Sequence, residues 1–415
     1  MIFYQDRSIE AEKNDVILSG GYSGHANFGD VAQLKSVLSW YKERGYNPIV
    51  IIRLDAVYDE EFIEKLYEWF DVKAFIFYAT VLFDASKYKL KRVENFSCQY
   101  FHLYGGGMIN KFWAKDIINL CETIIEFFNI KNYVVSGQQI DHFGAMLLQT
   151  HYQKYEPSVV GVRDMLSLQY LQEVGIEAYY SFDDAYEELE ELSSFFQPLK
   201  SDVQEIYLHF NLSPYVSDDL VAMVHTFKES LKLLKKHYPK AKYKLLLTYL
   251  DSRILSIVDT LGVVGSLDYH FDMCDVSIVN LAALSLKNKC DKRFEIDKNA
   301  VILATSYHTA MFMQLLGLKV FMFAGNEYYE QKREGLGLDK YTIEEFLAND
   351  FEVSFHENRK NDRKIWLSKL SENYHRHRVV VQEKAAPSII EKKAILFKHK
   401  PIQTNLETAL KQLSK

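Results

Sequence analysis

Short apolar runs rich in β-branched and aromatic residues recur along this 415-residue chain, and between them apolar positions return every three or four residues. DVILSGG, PIVIIRL, KAFIFYA, YFHLYGGG, NYVVSGQQI and SVVGVRD predict strands. The intervening stretches Val31–Arg44, Glu60–Phe70, Trp113–Phe128 and Asp164–Val174 predict amphipathic helices. Near-continuous apolar strands alternating with helices signal a parallel sheet covered on both faces, because each parallel crossover lays a helix over the sheet.

An acidic connector, SFDDAYEELEELSSFFQPLKSD at Ser181–Asp202, breaks this rhythm. It then resumes with EIYLHFNL, a helix near Ser217–His237, YKLLLTYL, another helix, AVILATSYH, a helix from Thr309, and KVFMFAG. The expected fold class is α/β, with two Rossmann-like domains at 1–200 and 201–350 facing across a cleft. A C-terminal helical extension at 351–415, whose main helix starts near Arg363, packs back on them. Open α/β sheets bind ligands at the carboxyl ends of their strands, so the loops that follow strands are the ones to read for chemistry.

Composition narrows the function classes. Apolar residues make up 48% and charged residues 25%, as in a soluble globular protein, and the length exceeds one ordinary core. A net charge of −7 with no basic block argues against nucleic acid as a partner. Cys98, Cys121, Cys274 and Cys290 lie far apart with no C-x-x-C pair, so neither a disulfide framework nor a zinc site is expected. No other metal or cofactor is expected. The apolar stretch Ala300–Gly325 contains His308 and Lys319 and is too polar to span a bilayer. MIFYQDRSIEAEKND lacks the basic and long apolar regions of a secretory signal. The expected location is cytoplasmic, with room for peripheral contact at the inner face of the membrane.

Four glycines crowd GGYSGHANFGDVAQL at Gly20–Leu34, between a strand and a helix. Glycines there let the backbone approach an anion, and the helix start offers free N–H groups. Gly24, Asn27, Gly29 and Asp30 are therefore candidate donor-binding residues. Asp30 is read either as the helix N-cap or as a group that binds an acceptor hydroxyl or acts as a base. YGGGMI adds Gly105, Gly106 and Gly107, and SGQQI adds Gln138, both at strand ends. The strict G-x-G-x-x-G spacing and a Walker lysine are both absent, which argues against ordinary dinucleotide or P-loop binding. Arg163, at a strand-to-helix junction, either pairs with a neighbour or clamps a carboxylate or phosphate with its planar fork. Ser306, Tyr307, His308 and Thr309 mark another strand end, and histidine can move a proton near neutral pH. His270, Asp272, Cys274 and Asp275 in DYHFDMCD are better explained by strand alternation than by a metal site. HRH at His375–His377 is expected on a solvated helix.

In order and spacing these pieces resemble the polysaccharide pyruvyl transferase family from about Val16 to Leu338. The match consists of the G-x-x-N-x-G-D opening, GGGMI, SGQQI, VGVRDMLSLQYLQEVGI, the DDA at Asp183–Ala185, TSYHTAMFMQLLGLKV and a closing GLGL. The resemblance implies a glycosyltransferase-B-like fold and transfer of a pyruvyl group from phosphoenolpyruvate to two hydroxyls of a sugar, forming a ketal. By similarity, His308 and Arg163 are the catalytic candidates, and the acceptor is a glycan or lipid-linked sugar.

Three departures stand out. Ser306-Tyr307-His308 replaces the R-x-H of many members, Gly137-Gln138-Gln139 replaces G-Q-G, and Lys332 and Arg333 precede the final L-G-L by a shorter interval. The missing arginine calls for another cation, with Arg53, Arg253, Lys332 or Arg333 as candidates. Two alternatives remain open on the same architecture. One is a nucleotide-sugar glycosyltransferase, although Glu327 and Glu334 fall one residue short of an E-x7-E pair. The other is a non-catalytic glycan-assembly protein.

Overall fold

The computed structural model describes residues 1–22, 24, 27–54, 60–80, 88–94, 96–200, 203–211, 215–249, 277–286, 294–348 and 356–380. They form two compact units. The first takes in the described residues up to Glu188, except residues 27–31, and adds residues 358–380. The second takes in residues 27–31 and the described residues between Leu189 and Glu357.

The first unit is built on a ten-stranded sheet. Its strands are β1 (Ile2–Gln5), β2 (Asp15–Gly20), β3 (Asn47–Arg53), β4 (Ala74–Ala79), β5 (Lys91–Arg92), β6 (Tyr100–Tyr104), β7 (Gly106–Ile109), β8 (Asn132–Ile140), β9 (Val159–Val162) and β10 (Tyr179–Tyr180). They lie in the order β10-β9-β8-β6-β2-β3-β4-β1-β5, with β7 beside β8. All pairings are parallel except those of β1 with β4 and β5. From β2 the winding runs out through β3 and β4, then returns to the other side of β2 with β6. That reversal, between β2 and β6, is where open sheets of this kind leave a crevice. The interior strands are buried on both faces, which is why Val16, Ile17 and Leu18 or Ile49 to Ile52 read as unbroken apolar runs. Gly106–Ile109, read from the sequence as loop, pairs with β8 as a short strand.

The second unit repeats the plan in smaller form. Strands β11 (Phe196–Leu199) and β15 (Phe294–Asp297) form a separate parallel pair. The main sheet is β14-β13-β12-β16-β17, where β12 is Glu205–His209, β13 Lys242–Leu247, β14 Ser277–Asn280, β16 Val301–Ala304 and β17 Lys319–Met322. Every pairing is parallel, and the winding reverses between β12 and β16. The two Rossmann-like sheets expected from the sequence are thus present. The acidic connector contains a Tyr186–Ser193 helix followed by β11.

The last described helix, His356–Val380, is polar on average, yet Arg363, Trp366, Leu370 and Tyr374 share one stripe and are buried in the first unit. Trp366 lies where a Cβ on Gly161 would stand 2.7 Å from its ring. Tyr374 packs among Trp40, Tyr41, Tyr46 and Tyr100. Burial of such side chains contributes roughly 1.5–3 kcal/mol each, enough to hold a helix whose remaining faces are charged. Cys98 and Cys121 are free and buried, their thiols pushed up to about 12 by burial, and Cys274 and Cys290 lie outside the described residues.

Candidate functional site

In the second unit the reversal is lined by the chain leaving β16. Thr305 and Ser306 lead into the Tyr307–Leu315 helix, and the Ser306 hydroxyl caps it by accepting from the Thr309 amide at 3.4 Å. His308 sits in the first turn, half-buried, at the end of the helix where unpaired amides and the positive dipole terminus meet. Thr309 is fully buried, and its hydroxyl has no partner.

Below the imidazole runs the start of the Phe28–Lys42 helix. Asn27 forms an antiparallel bridge with Tyr249, and the Phe28 amide donates to the Thr248 carbonyl at 2.7 Å, just past β13. The Asn27 side-chain oxygen accepts from the Gly29 amide at 3.0 Å. Asn27 is therefore the N-cap, and the expectation of a cap at Asp30 is corrected: Asp30 lies in the first turn of the helix, where its charge complements the dipole. Gly29 is required for room. A Cβ there would come 1.9 Å from His308 Nδ1, so the imidazole rests directly on this glycine. Phe28 meets Phe312 edge-on at 5.6 Å.

His209, at the end of β12, closes the floor. Its Nδ1 lies 3.4 Å from the Thr305 hydroxyl and its Nε2 lies 3.3 Å from that of Thr248. Burial pushes it down to about 4, so it stays neutral at pH 7 and ties three strand ends together.

The first unit fills its reversal with a buried polar network. Arg163 is only 2% exposed; its guanidinium pairs with Asp183 at 3.1 Å and donates to the Gln139 amide oxygen. Asp183 also accepts from Gln33 at 3.1 and 3.2 Å. The next residue, Asp184, accepts from the Gly105 amide at 2.8 Å, from Ser136 Oγ at 2.5 Å and from Arg363 at 3.0 Å. Gly137 makes room for that carboxylate: its φ is +61°, and a Cβ would stand 2.4 Å from Asp184 Oδ2. Gln138 donates to the carbonyls of Gly105 and Ser136 at 3.0 and 3.3 Å. Burial raises the Asp184 carboxyl, and the Arg363 charge opposes that shift.

The structure thus sorts the expected residues into two groups. Asn27, Gly29, Asp30, Ser306, Tyr307, His308 and Thr309 fall in the second unit. Gly24, Gly105, Gly106, Gly107, Gln138 and Arg163 fall in the first. Asp164, beside Arg163, caps the Met165–Glu173 helix through the Ser167 amide. Of the replacement cations, Lys332 lies over the rings of Tyr328 and Tyr329, and Arg333 is buried against Glu330. Arg53 ends β3 in the first unit, exposed at the sheet's carboxyl edge. Arg253 and the DYHFDMCD cluster lie outside the described residues. His375 is exposed on its helix, as expected. Sequence reasoning missed Gln33, His102, Asp184 as a hydrogen-bond hub, and Arg363; the stripe of Arg363, Trp366, Leu370 and Tyr374 was the available signal.

The sequence model of the polysaccharide pyruvyl transferase family matches residues 27–310, from the N-cap asparagine through the first turn that carries His308. The chain belongs to the polysaccharide pyruvyl transferase family. Among curated proteins no sequence matches it. Solved structures similar to this family member include a UDP-GlcNAc 2-epimerase of Methanocaldococcus jannaschii in complex with UDP-GlcNAc and UDP, at 12% identity and TM-score 0.41 over 86% of this chain and 99% of that one. Anabaena Alr3699/HepE in complex with UDP and glucose has 11% identity and TM-score 0.41 over 90% and 100%. MurG of Acinetobacter baumannii has 9% identity and TM-score 0.34 over 86% and 91%. None of the three bears on the chemistry of this pyruvyl transferase family member. Arg363 lies beyond the stretch that the family model matches. Among the described residues no helix is long and apolar enough to cross a membrane, and no three His, Cys, Asp or Glu side chains group as metal ligands.

Proposed function

We propose that this chain transfers the pyruvyl group of phosphoenolpyruvate to two hydroxyls of a sugar in a cell-surface polysaccharide or its precursor, with His308 as the acid. The observation that carries this reading is the half-buried imidazole at an open helix start, set on Gly29 within the family's G-x-x-N-x-G-D motif. Helix-start amides favour an anionic donor there.

His308 gives a proton to the methylene carbon of the donor while one sugar hydroxyl oxygen bonds to C2. The oxygen of the second hydroxyl then bonds to C2 as the bond to the phosphate oxygen breaks. Of the two hydroxyl protons, one restores His308 and the other leaves with phosphate, so the ketal and inorganic phosphate balance the reactants. In the second unit the donor's anionic groups call for the amides at the Ser306–Thr309 helix start; in the first unit the glycine turn at Gly105–Gly107 is the candidate donor-binding element. Arg163, being buried on Asp183, serves this reading as a residue that holds Asp183 and Gln139 in place rather than as the donor's clamp.

The test is phosphate release from phosphoenolpyruvate in the presence of candidate glycan precursors, with mass spectrometry of the acceptor. His308→Ala should lose about 10²–10⁴-fold in rate, the usual worth of a positioned acid, while its thermal melt stays unchanged. A ligand screen by thermal shift in which only UDP- or GDP-sugars stabilise the protein would defeat the reading in favour of a glycosyltransferase.

A further inference from the structure

The His356–Val380 helix reaches the same carboxylate from two ends. From its first half, the Arg363 guanidinium donates to Asp184 Oδ1 at 3.0 Å and to the Ser181 carbonyl at 2.9 Å. Its other nitrogens fork onto Glu187 at 2.8 and 2.7 Å. From its second half, the Tyr374 hydroxyl meets that of Tyr41, which lies 2.9 Å from His102 Nδ1. His102 Nε2 lies 2.7 Å from Ser136 Oγ, and Ser136 donates to Asp184 Oδ2.

An ionised Asp184 only accepts, which sets the direction of the whole chain: Ser136 must donate to it, His102 must donate through Nε2, and Tyr41 must donate to Nδ1. All six side chains are buried. What Asp184 does with this support is hold the Gly105 amide at the carboxyl end of β6, beside the reversal. Gly105 has no side chain of its own to fix it, and the space a Cβ would take is filled by the Gln33 amide at 2.6 Å.

We infer that Arg363, acting through Asp184, is a positioning residue for the glycine turn at Gly105–Gly107, so that the C-terminal helix is a working part of that site. This rests on the reading of the glycine turn as a phosphoenolpyruvate-binding element of the first unit. Without the guanidinium at Oδ1, a carboxylate in this interior is driven to take up a proton, and the two bonds that Oδ2 accepts from Gly105 and Ser136 lose their charge assistance and weaken.

The experiment uses the full-length protein and the variants Arg363→Lys, Arg363→Met and Tyr374→Phe. Hydrogen exchange at Gly105–Ile109 is followed by mass spectrometry, and KM for phosphoenolpyruvate is measured separately from kcat. Loss of one charge-assisted bond should speed exchange in that segment about tenfold in Arg363→Lys, leaving β3 and the second unit at wild-type rates. Tyr374→Phe should show a smaller change in the same place. KM should rise about tenfold, with kcat within about twofold, as expected when a ground-state contact is loosened. Exchange unchanged in both Arg363→Lys and Tyr374→Phe overturns the inference, as does exchange rising equally across the unit. A normal KM despite faster exchange at Gly105 also overturns it. Should Arg363→Met fail to fold, the other two variants decide. If the wild-type chain neither binds nor turns over phosphoenolpyruvate, it is the proposed donor that fails, and the exchange measurement still decides whether the helix governs the turn.

Discussion

At the reversal of the first sheet, Arg163, Asp183, Asp184 and Arg363 are buried and matched by one another and by neighbouring amides. At the reversal of the second sheet, a half-buried imidazole stands on a glycine at an open helix start. The two sheets share a winding plan, yet one crevice is packed with paired charge and the other keeps a titratable group near solvent. Saturated charge fixes shape and has no spare valence for a reactant. In the proposed reaction this imidazole gives up a proton and regains it at each turnover. The same strand order therefore supports two kinds of work, and residue type alone does not say which.

Three changes sharpen or break this contrast. The largest expected effect is on the packed side. Arg163→Met should cost about 3–5 kcal/mol in urea unfolding, because Asp183 is left as a buried charge without its ion. Arg163→Met with Asp183→Leu should recover much of that loss, and a double variant as unstable as the single one would show that the pair is more than a matched charge. On the open side, Gly29→Ala should cost about 10²-fold in turnover by pushing His308 aside, the usual penalty for a misplacement near 1 Å. Helix propensity pulls the other way, since alanine stabilises a helix interior by roughly 0.5–1 kcal/mol over glycine. Activity lost without stability lost is thus the signature sought.

The smallest effect is on pH dependence. Burial pushes His102 down to about 3 and His209 to about 4, below the roughly 6.5 of an unfolded histidine. The native state therefore binds fewer protons in that window. Stability is fully present above about pH 6.5 and falls as the pH drops toward these values, by up to about 1.4 kcal/mol per pH unit for each ring. Asp184, whose carboxyl is raised by burial, works in the opposite sense over its own range. Comparing the pH dependence of urea midpoints for wild type and His102→Gln isolates the ring; equal slopes would show that His102 charges freely in the folded protein.

Much of the frame was legible in the chain itself. Strands buried on both faces leave unbroken apolar runs, so β2, β3, β8 and β16 stood out, and the glycines marked the ends where they turn. Ser306 and His308 were visible because they mark the end of an apolar strand run where a helix begins. What stayed hidden depends on distance along the chain. Asp183 and Asp184 sit in a stretch whose acidity reads as a solvated connector, and their arginine partners lie 20 and 179 residues away. Asn27, read from the sequence as a donor-binding residue, turns out to cap the helix, because the chain turns helical at Phe28, two residues before Asp30. The polar surface of His356–Val380 outweighed its one buried stripe.

The separation between Asp184 and Arg363 also orders events during synthesis. Domains ordinarily fold as they emerge, the N-terminal one first. Here the first unit leaves the ribosome with an acidic residue in its interior and no counter-ion, and every described strand of the second unit is made before Arg363 appears. Among the described residues, the unit that is born first is the one completed last. A nascent or truncated chain ending near residue 350 would therefore carry a finished second sheet and a first sheet still lacking its keystone.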